Sequence, residues 1–150
     1  MLRRTPIRRT APRRAGGGCI DKAALDHLAR ECAMLRANAA RFENPPPRQP
    51  SWWGACQRCG RENWLSWCHV ITRANFHTRW DRHNSFSWCS GCHRTLDQHW
   101  EQKQAWVERT IGERAYAALL LRSHIKGKMD FGAVRLALEQ ERAAMLHRDE

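Results

Sequence analysis

With 150 residues and a formal charge of +11 at pH 7, the chain has room for one compact domain plus extensions. A mean hydropathy of −0.74 and a pI near 10.2 leave little for a large aliphatic core and point to a polyanionic partner. No apolar run approaches the roughly eighteen residues of a membrane span, and the basic N-terminus lacks the apolar stretch of a secretory signal. No membrane partner is therefore expected, and a cytoplasmic location is.

Residues 1–20 begin MLRRTPIRRTAPRRAGGG, with six arginines and no acid. Such a segment buries too little apolar surface to fold alone. It reads as a basic arm, either simply solvated or lying along phosphates. Residues 21–43 follow as an alanine- and leucine-rich helix. Leu25, Leu28, Cys32 and Leu35 recur at three- and four-residue steps, and Asp21 stands at the cap position. The prolines of ENPPPRQP predict a stiff linker over 44–51.

The composition then changes. Residues 51–99 hold five cysteines, five histidines and six of the eight tryptophans. A segment so poor in leucine needs a staple in place of an aliphatic core. CQRC (Cys56, Cys59) and CSGC (Cys89, Cys92) are two knuckles of the same spacing. Four thiolates from two such turns make a closed tetrahedral Zn²⁺ site with no open position, hence a structural one. Disulfides are the weaker reading, because no export signal accompanies the cysteines. Cys19 and Cys32 fall outside the pattern and read as reduced thiols.

Between the knuckles, short strands are expected near 65–72 and 83–88, then a helix from about Ser90 to His99. The zinc staple would pin the ends of the insert together. A strand carrying His69 would then lie against the helix carrying His93. Downstream, HWEQKQAWVERTIGERAYAALLLRSHI predicts one or two helices with a break at Gly112. Asp130 caps a last helix whose apolar stripe is Val134, Leu138, Ala143 and Met145. These helices are expected to pack on the metal module. The core is drawn as residues 52–126 and the last helical unit as 127–150. That last helix could dimerise, although its stripe is no better than an ordinary packing face.

The order Cys-x-x-Cys, then His69 in HVITR, then Asn84 ahead of the second Cys-x-x-Cys, then His93, resembles the HNH nucleases. These are ββα-metal (His-Me finger) enzymes, many with the same four-cysteine staple. The resemblance covers about residues 56–99. Within that group the chain looks most like the phage NinG (Rap) recombination proteins. The shared features are a basic arm, an RW…N stretch, a helix like WVERTIGERAYAAL and a last charged helix, which extends a weaker likeness to about residue 147.

The resemblance implies an α+β fold: a small zinc-stapled ββα-metal module flanked by an N-terminal helix and C-terminal helices. It implies a metal-dependent DNA endonuclease leaving 5′-phosphate and 3′-hydroxyl ends. Branched recombination DNA as the substrate, and a bacterial host cell as the setting, follow from the NinG likeness alone. His69 matches the general base, Asn84 the residue that orients it, and His93 a ligand of a divalent ion such as Mg²⁺ or Mn²⁺.

Many HNH enzymes have Asp directly before the base, as a second metal ligand, where this chain has Cys68. Thiolate is a poor partner for Mg²⁺. Either Cys68 serves a softer ion, or Asp97, four residues after His93 on one helical face, takes the place. Arg73 and Arg79 are candidates for flanking phosphates. A Cys68–His69 nucleophile pair is disfavoured, since neighbours on a strand point to opposite faces. Most tryptophans are expected in the core, with Trp80, beside Arg79 and Arg82, the one that could stack on a base. The competing reading is a zinc-stapled DNA-binding module that does not cut.

Overall fold

A computed structural model describes residues 21–45 and 48–147. The basic arm with Cys19, residues 46–47 of the linker and residues 148–150 lie outside the described residues. The described chain is α+β, with a four-stranded antiparallel sheet in the order β1-β2-β3-β4 and six helices.

Helix α1 spans Lys22–Arg36, with the Asp21 carboxylate accepting from the Ala23 amide at 2.9 Å. It stops earlier than the sequence pattern suggested. Asn38 takes a left-handed conformation (φ 49°), which asparagine tolerates better than most residues and which ends a helix. Residues 40–42 of the expected helix instead form strand β1, Ala40–Phe42, paired with β2, Ser51–Ala55. β1 and β2 thus form a hairpin. Asn44 closes it by donating to the Gln49 carbonyl at 2.6 Å and the Ser51 hydroxyl at 2.8 Å.

Strand β3, Glu62–His69, pairs with β2 only over residues 62–64, and with β4, Ser85–Cys89, over residues 65–69. The long connection between β3 and β4 carries a four-residue helix, α2, Phe76–Arg79. Helix α3, Ser90–Gln98, follows β4 directly. Helices α4, Trp100–Ile111, and α5, Glu113–Ser123, are separated by Gly112 at φ 88°. A positive φ suits glycine and breaks the helix where the sequence placed the break.

The β3–β4 ladder has two faces. Leu65, Trp67 and His69 share one with Ser85, Ser87 and Cys89. This face lies under α1, where the Ser87 hydroxyl donates to the Ala33 carbonyl and Arg36 reaches Ser85. Ser66 and Cys68 share the other face with Phe86 and Trp88. There Trp106 of α4 meets Phe86 and Trp88 edge-on at 5.2 and 5.3 Å, and Leu96, Val107 and Leu119 are fully buried. Burial of such aromatics supplies most of what a leucine-poor module can gain.

Helix α6, Phe131–Leu146, is capped by Asp130, whose carboxylate accepts from Ala133 at 3.0 Å. It packs on α1 rather than on the cysteine module. Leu138 joins Leu25, Ala29, Cys32 and Trp80 in a second cluster, with Val134 and Met145 at its margin. Ala143 of the expected stripe is not among them. No helix of the described residues is long and apolar enough to cross a membrane.

Candidate metal centre and catalytic groove

The ligand atoms of Cys56, Cys59, Cys89 and Cys92 lie within 4.8 Å of one another. The first knuckle is the turn between β2 and β3. Gly60 at φ 72° donates to the Cys56 carbonyl at 2.8 Å, and Cys56 donates back to the Arg61 carbonyl at 2.9 Å. The second knuckle begins where β4 turns into α3, with Cys89 at the cap position and Cys92 in the first turn. The Cys89 amide donates to Cys56 Sγ at 3.3 Å, and Gln57 Oε1 accepts from the Ser87 amide at 2.7 Å. Burial alone would raise the Cys56 thiol. The amides of Cys59, Cys89 and Arg58 outweigh it and bring the group down to about 7. Amides aimed at sulfur suit a thiolate, and the four sulfurs could hold a structural metal such as zinc.

A cavity of about 610 Å³ lies beside this centre. His69, Arg73, His93, Asp97 and Lys103 all line it. The two imidazoles do not approach it from the same side. His69 ends β3 on the α1 face, with its ring 4.3 Å from that of Trp67. His93 sits on α3 over the other face, 6.4 Å from Trp88. They share the cavity around the edge of β3, where residues 65–69 have no partner on the β2 side.

His69 Nε2 lies 3.0 Å from the Arg79 carbonyl. A carbonyl only accepts, so Nε2 carries the hydrogen and Nδ1 is left as the basic nitrogen. Nδ1 makes no hydrogen bond with any described residue. Burial is the main force on this ring and lowers its pKa to about 4, against a partial rise from the Arg79 contact. The imidazole is neutral at physiological pH.

Asn84 is fully buried, and its side chain makes no hydrogen bond to His69. Its Oδ1 accepts from the Ile71 amide at 2.7 Å, and its Nδ2 donates to the carbonyls of Ile71 and Thr78 at 3.0 and 2.8 Å. The orienting role read from its spacing is corrected to an indirect one. Asn84 ties the 70–84 loop together, and that loop presents the Arg79 carbonyl to His69.

Asp97 does lie beside His93, with Oδ2 3.1 Å from Nε2. Its other oxygen accepts from the buried Lys103 ammonium at 2.7 Å. Cys68 is corrected. It is 1% exposed, its Sγ donates to the Ser66 carbonyl at 3.2 Å, and burial pushes it up to about 12. It does not line the cavity and is not placed to serve the groove.

Arg79 is corrected as well. Its guanidinium is clamped on the Asp26 carboxylate at 2.8 and 2.5 Å and also donates to the Arg73 carbonyl. It braces the loop instead of facing substrate. Arg73 is exposed on the cavity wall and makes no side-chain hydrogen bond or ion pair with a described residue. Trp80 is a core ring, 6% exposed, donating to Asp26 and stacked on Phe76.

Sequence reasoning missed Lys103, Arg30 and Trp64, all on the cavity wall. Their spacing from the motif residues carries no signal, because they come from α1, α4 and the start of β3. No family model, curated protein or solved structure matches this chain.

Among the described residues, the four cysteines are the only cluster of three or more His, Cys, Asp or Glu ligand atoms this close. A divalent ion at the groove would be held by His93 and Asp97, with its other positions left to water and phosphate oxygens.

Proposed function

We propose that the chain is an HNH-type DNA endonuclease with a structural zinc. The observation that carries the reading is His69. A neutral imidazole with Nε2 fixed on a carbonyl and Nδ1 unengaged lines the same cavity as His93, Asp97 and Arg73.

Phosphodiester hydrolysis needs a water deprotonated in front of an anion. His69 Nδ1 takes that proton, help worth about 10²–10⁴-fold. The Arg79 carbonyl keeps the ring from turning, and the Asn84 amide keeps that carbonyl in place. Arg73 holds a phosphate at the rim. A divalent ion, when bound by His93 and Asp97, supplies Lewis-acid stabilisation of charge on the phosphate oxygens. The zinc site stands apart from the reaction and sets the register of β3 against α3.

One observation favours a second reading. With Cys68 off the cavity wall and Asp97 shared with Lys103, only His93 and Asp97 among the described residues are placed to hold an ion there. A module that binds DNA without cutting would need no more.

Supercoiled plasmid and four-way junctions, each with Mg²⁺, Mn²⁺ or EDTA, separate the two. Cutting that EDTA stops and that His69→Ala lowers by at least about 10²-fold supports the nuclease. Salt-sensitive binding with no cutting under any ion supports the binding module.

A further inference from the structure

Three aromatic side chains stand on one surface of the sheet and are not covered by the described residues. Phe42, Trp53 and Trp64 are 48%, 37% and 50% exposed. Trp53 pairs with Trp64 across β2 and β3, and Phe42 lies on the same face in β1. Their rings meet edge-to-face, with Trp64 5.5 Å from Phe42 and 5.3 Å from Trp53. Large rings left in water cost free energy unless something uses them.

This face leads into the cavity. Trp64, Ser66 and Cys68 project to the same side of β3. Trp64 and Ser66 both line the groove, and so does Lys103. Two residues along a strand span about 7 Å, and Trp64 lines the same cavity as Lys103, His93 and Asp97. Glu62, next on this face, lies beyond Trp64 on the side away from the groove.

Lys103 is itself unusual. Its side chain is 8% exposed, yet it lines the cavity and carries an ammonium held on Asp97. Arg30 and Arg73 line the same space. One carboxylate therefore faces three permanent cations, which makes the groove an anion site.

We propose that this groove takes one unpaired nucleotide of a DNA strand, with its base stacked on the exposed Trp64 ring, which Phe42 and Trp53 brace edge-to-face, and its phosphate against Lys103. Stacking works only on a base released from its partner. The site therefore selects DNA that is single-stranded or opened at that point, and intact duplex reaches only the cationic part. The inference takes its DNA ligand from the endonuclease reading, but its test does not require cutting.

The test is binding at low salt with no divalent ion added, which withholds a cutting metal without stripping the four-cysteine site. Fluorescence anisotropy follows a labelled oligothymidylate and a blunt duplex of the same length, with wild type, Trp64→Ala and Lys103→Met. Trp64→Ala should weaken the single strand by about tenfold, the size of one lost base–aromatic stack, and leave the duplex unchanged. Lys103→Met should weaken both. Lys103→Met leaves Asp97 half-exposed, so no buried charge is stranded and the variant should fold, which circular dichroism checks.

Equal losses for both DNAs in Trp64→Ala, or none, would overturn the proposal. So would a wild-type dimer in sedimentation that Trp64→Ala dissociates, because a second copy would then be the occupant. A single-strand preference that appears only when residues 1–20 are deleted would assign the Trp64 ring to the arm and overturn it too. A protein that passes these tests and never cuts plasmid retains the stacking site and loses only the nuclease reading.

Discussion

Asn84→Ala tests the reasoning about the groove most directly, because the spacing argument and the coordinates assign that residue different partners. The substitution removes three hydrogen bonds and leaves the Ile71 amide, the Ile71 carbonyl and the Thr78 carbonyl without the partner they have now. Each buried group so orphaned costs about 1–3 kcal/mol. Ile71 is only half-buried, so water can reach part of the gap, and the lower end of that range applies. The sum is a loss of about 3 kcal/mol. In urea, with a slope of about 1–3 kcal/mol per molar, the midpoint falls by at least about 1 M without a change in slope. Asn84→Asp should lose at least as much at pH 7, because a carboxylate cannot donate to the two carbonyls that Nδ2 now serves. It should recover part of the loss in acid, where the protonated form donates once. An Asn84→Ala protein within about 1 kcal/mol of wild type would refute the bridging role. An Asn84→Asp protein as stable as wild type at pH 7 would refute it as well.

Other expectations follow from the same coordinates. Zinc should be found at about one ion per chain by elemental analysis. It should be lost with the folded state in Cys89→Ser and retained in His93→Ala, whereas metal lost in both would place His93 in the clamp. His69 stays neutral in the native state down to about 4 and protonates near 6.5 when unfolded. The unfolded chain therefore binds the extra proton in that window, and stability falls as pH drops through it, by at most about 1.4 kcal/mol per unit. His69→Gln should flatten this slope between pH 6.5 and 4 in urea titrations, and an unchanged slope would show that the ring is solvated. Asp26→Asn should loosen the clamp on Arg79 and Trp80 and cost about 2 kcal/mol at neutral pH, measured by thermal or urea unfolding. Burial by itself would raise the Asp26 carboxyl, but Arg79 and Trp80 hold it below the ordinary range. The difference from wild type should therefore shrink in strong acid as that carboxylate protonates. A cost unchanged by acid would mean that charge plays no part.

What could be read from the sequence was whatever depends on near neighbours along the chain. The two knuckles announce themselves because a C-x-x-C turn is a local object, and the β4–α3 junction falls within one residue of where CSGCHRT placed it. Gly112 and Asp130 mark a helix break and a helix cap for reasons contained in their own backbone chemistry. The errors have one physical source, which is partners distant in sequence. Arg79 was read as free for phosphate, but its carboxylate is Asp26, 53 residues away, while the nearby Asp81 pairs with Arg122. Trp80 looked exposed between two arginines, and the same Asp26, together with Phe76 and Phe131, draws it inside. Trp64 lies where the covering helices stop, a fact of packing that no pattern along β3 records. The β1–β2 hairpin was hidden by its prolines. Asn38 offered a local sign that the helix ends there, since it tolerates the left-handed turn that the chain adopts.

The groove exists because β2 stops early. If β2 followed β3 for its whole length, the edge at residues 65–69 would be sealed. His69 under α1 and His93 on α3 would then face separate spaces on opposite sides of one sheet. Pairing stops at Trp64 because β2 leaves β3 at Trp53: Trp52 and Ser51 stay paired with Arg41 and Phe42 of β1 and line the cavity instead of bonding to β3. The same short pairing leaves the Trp64 ring at the mouth of the opening. The hairpin that sequence reading overlooked therefore sets the access to the histidines that sequence reading found. Redesigning Ser51 and Trp52 so that they pair with Ser66 and Leu65 as well as with β1 should close the cavity without touching either imidazole or any cysteine. Such a variant should keep its zinc and its fold and lose both cutting and single-strand binding. A variant that still cuts would mean that the two histidines do not act through this edge.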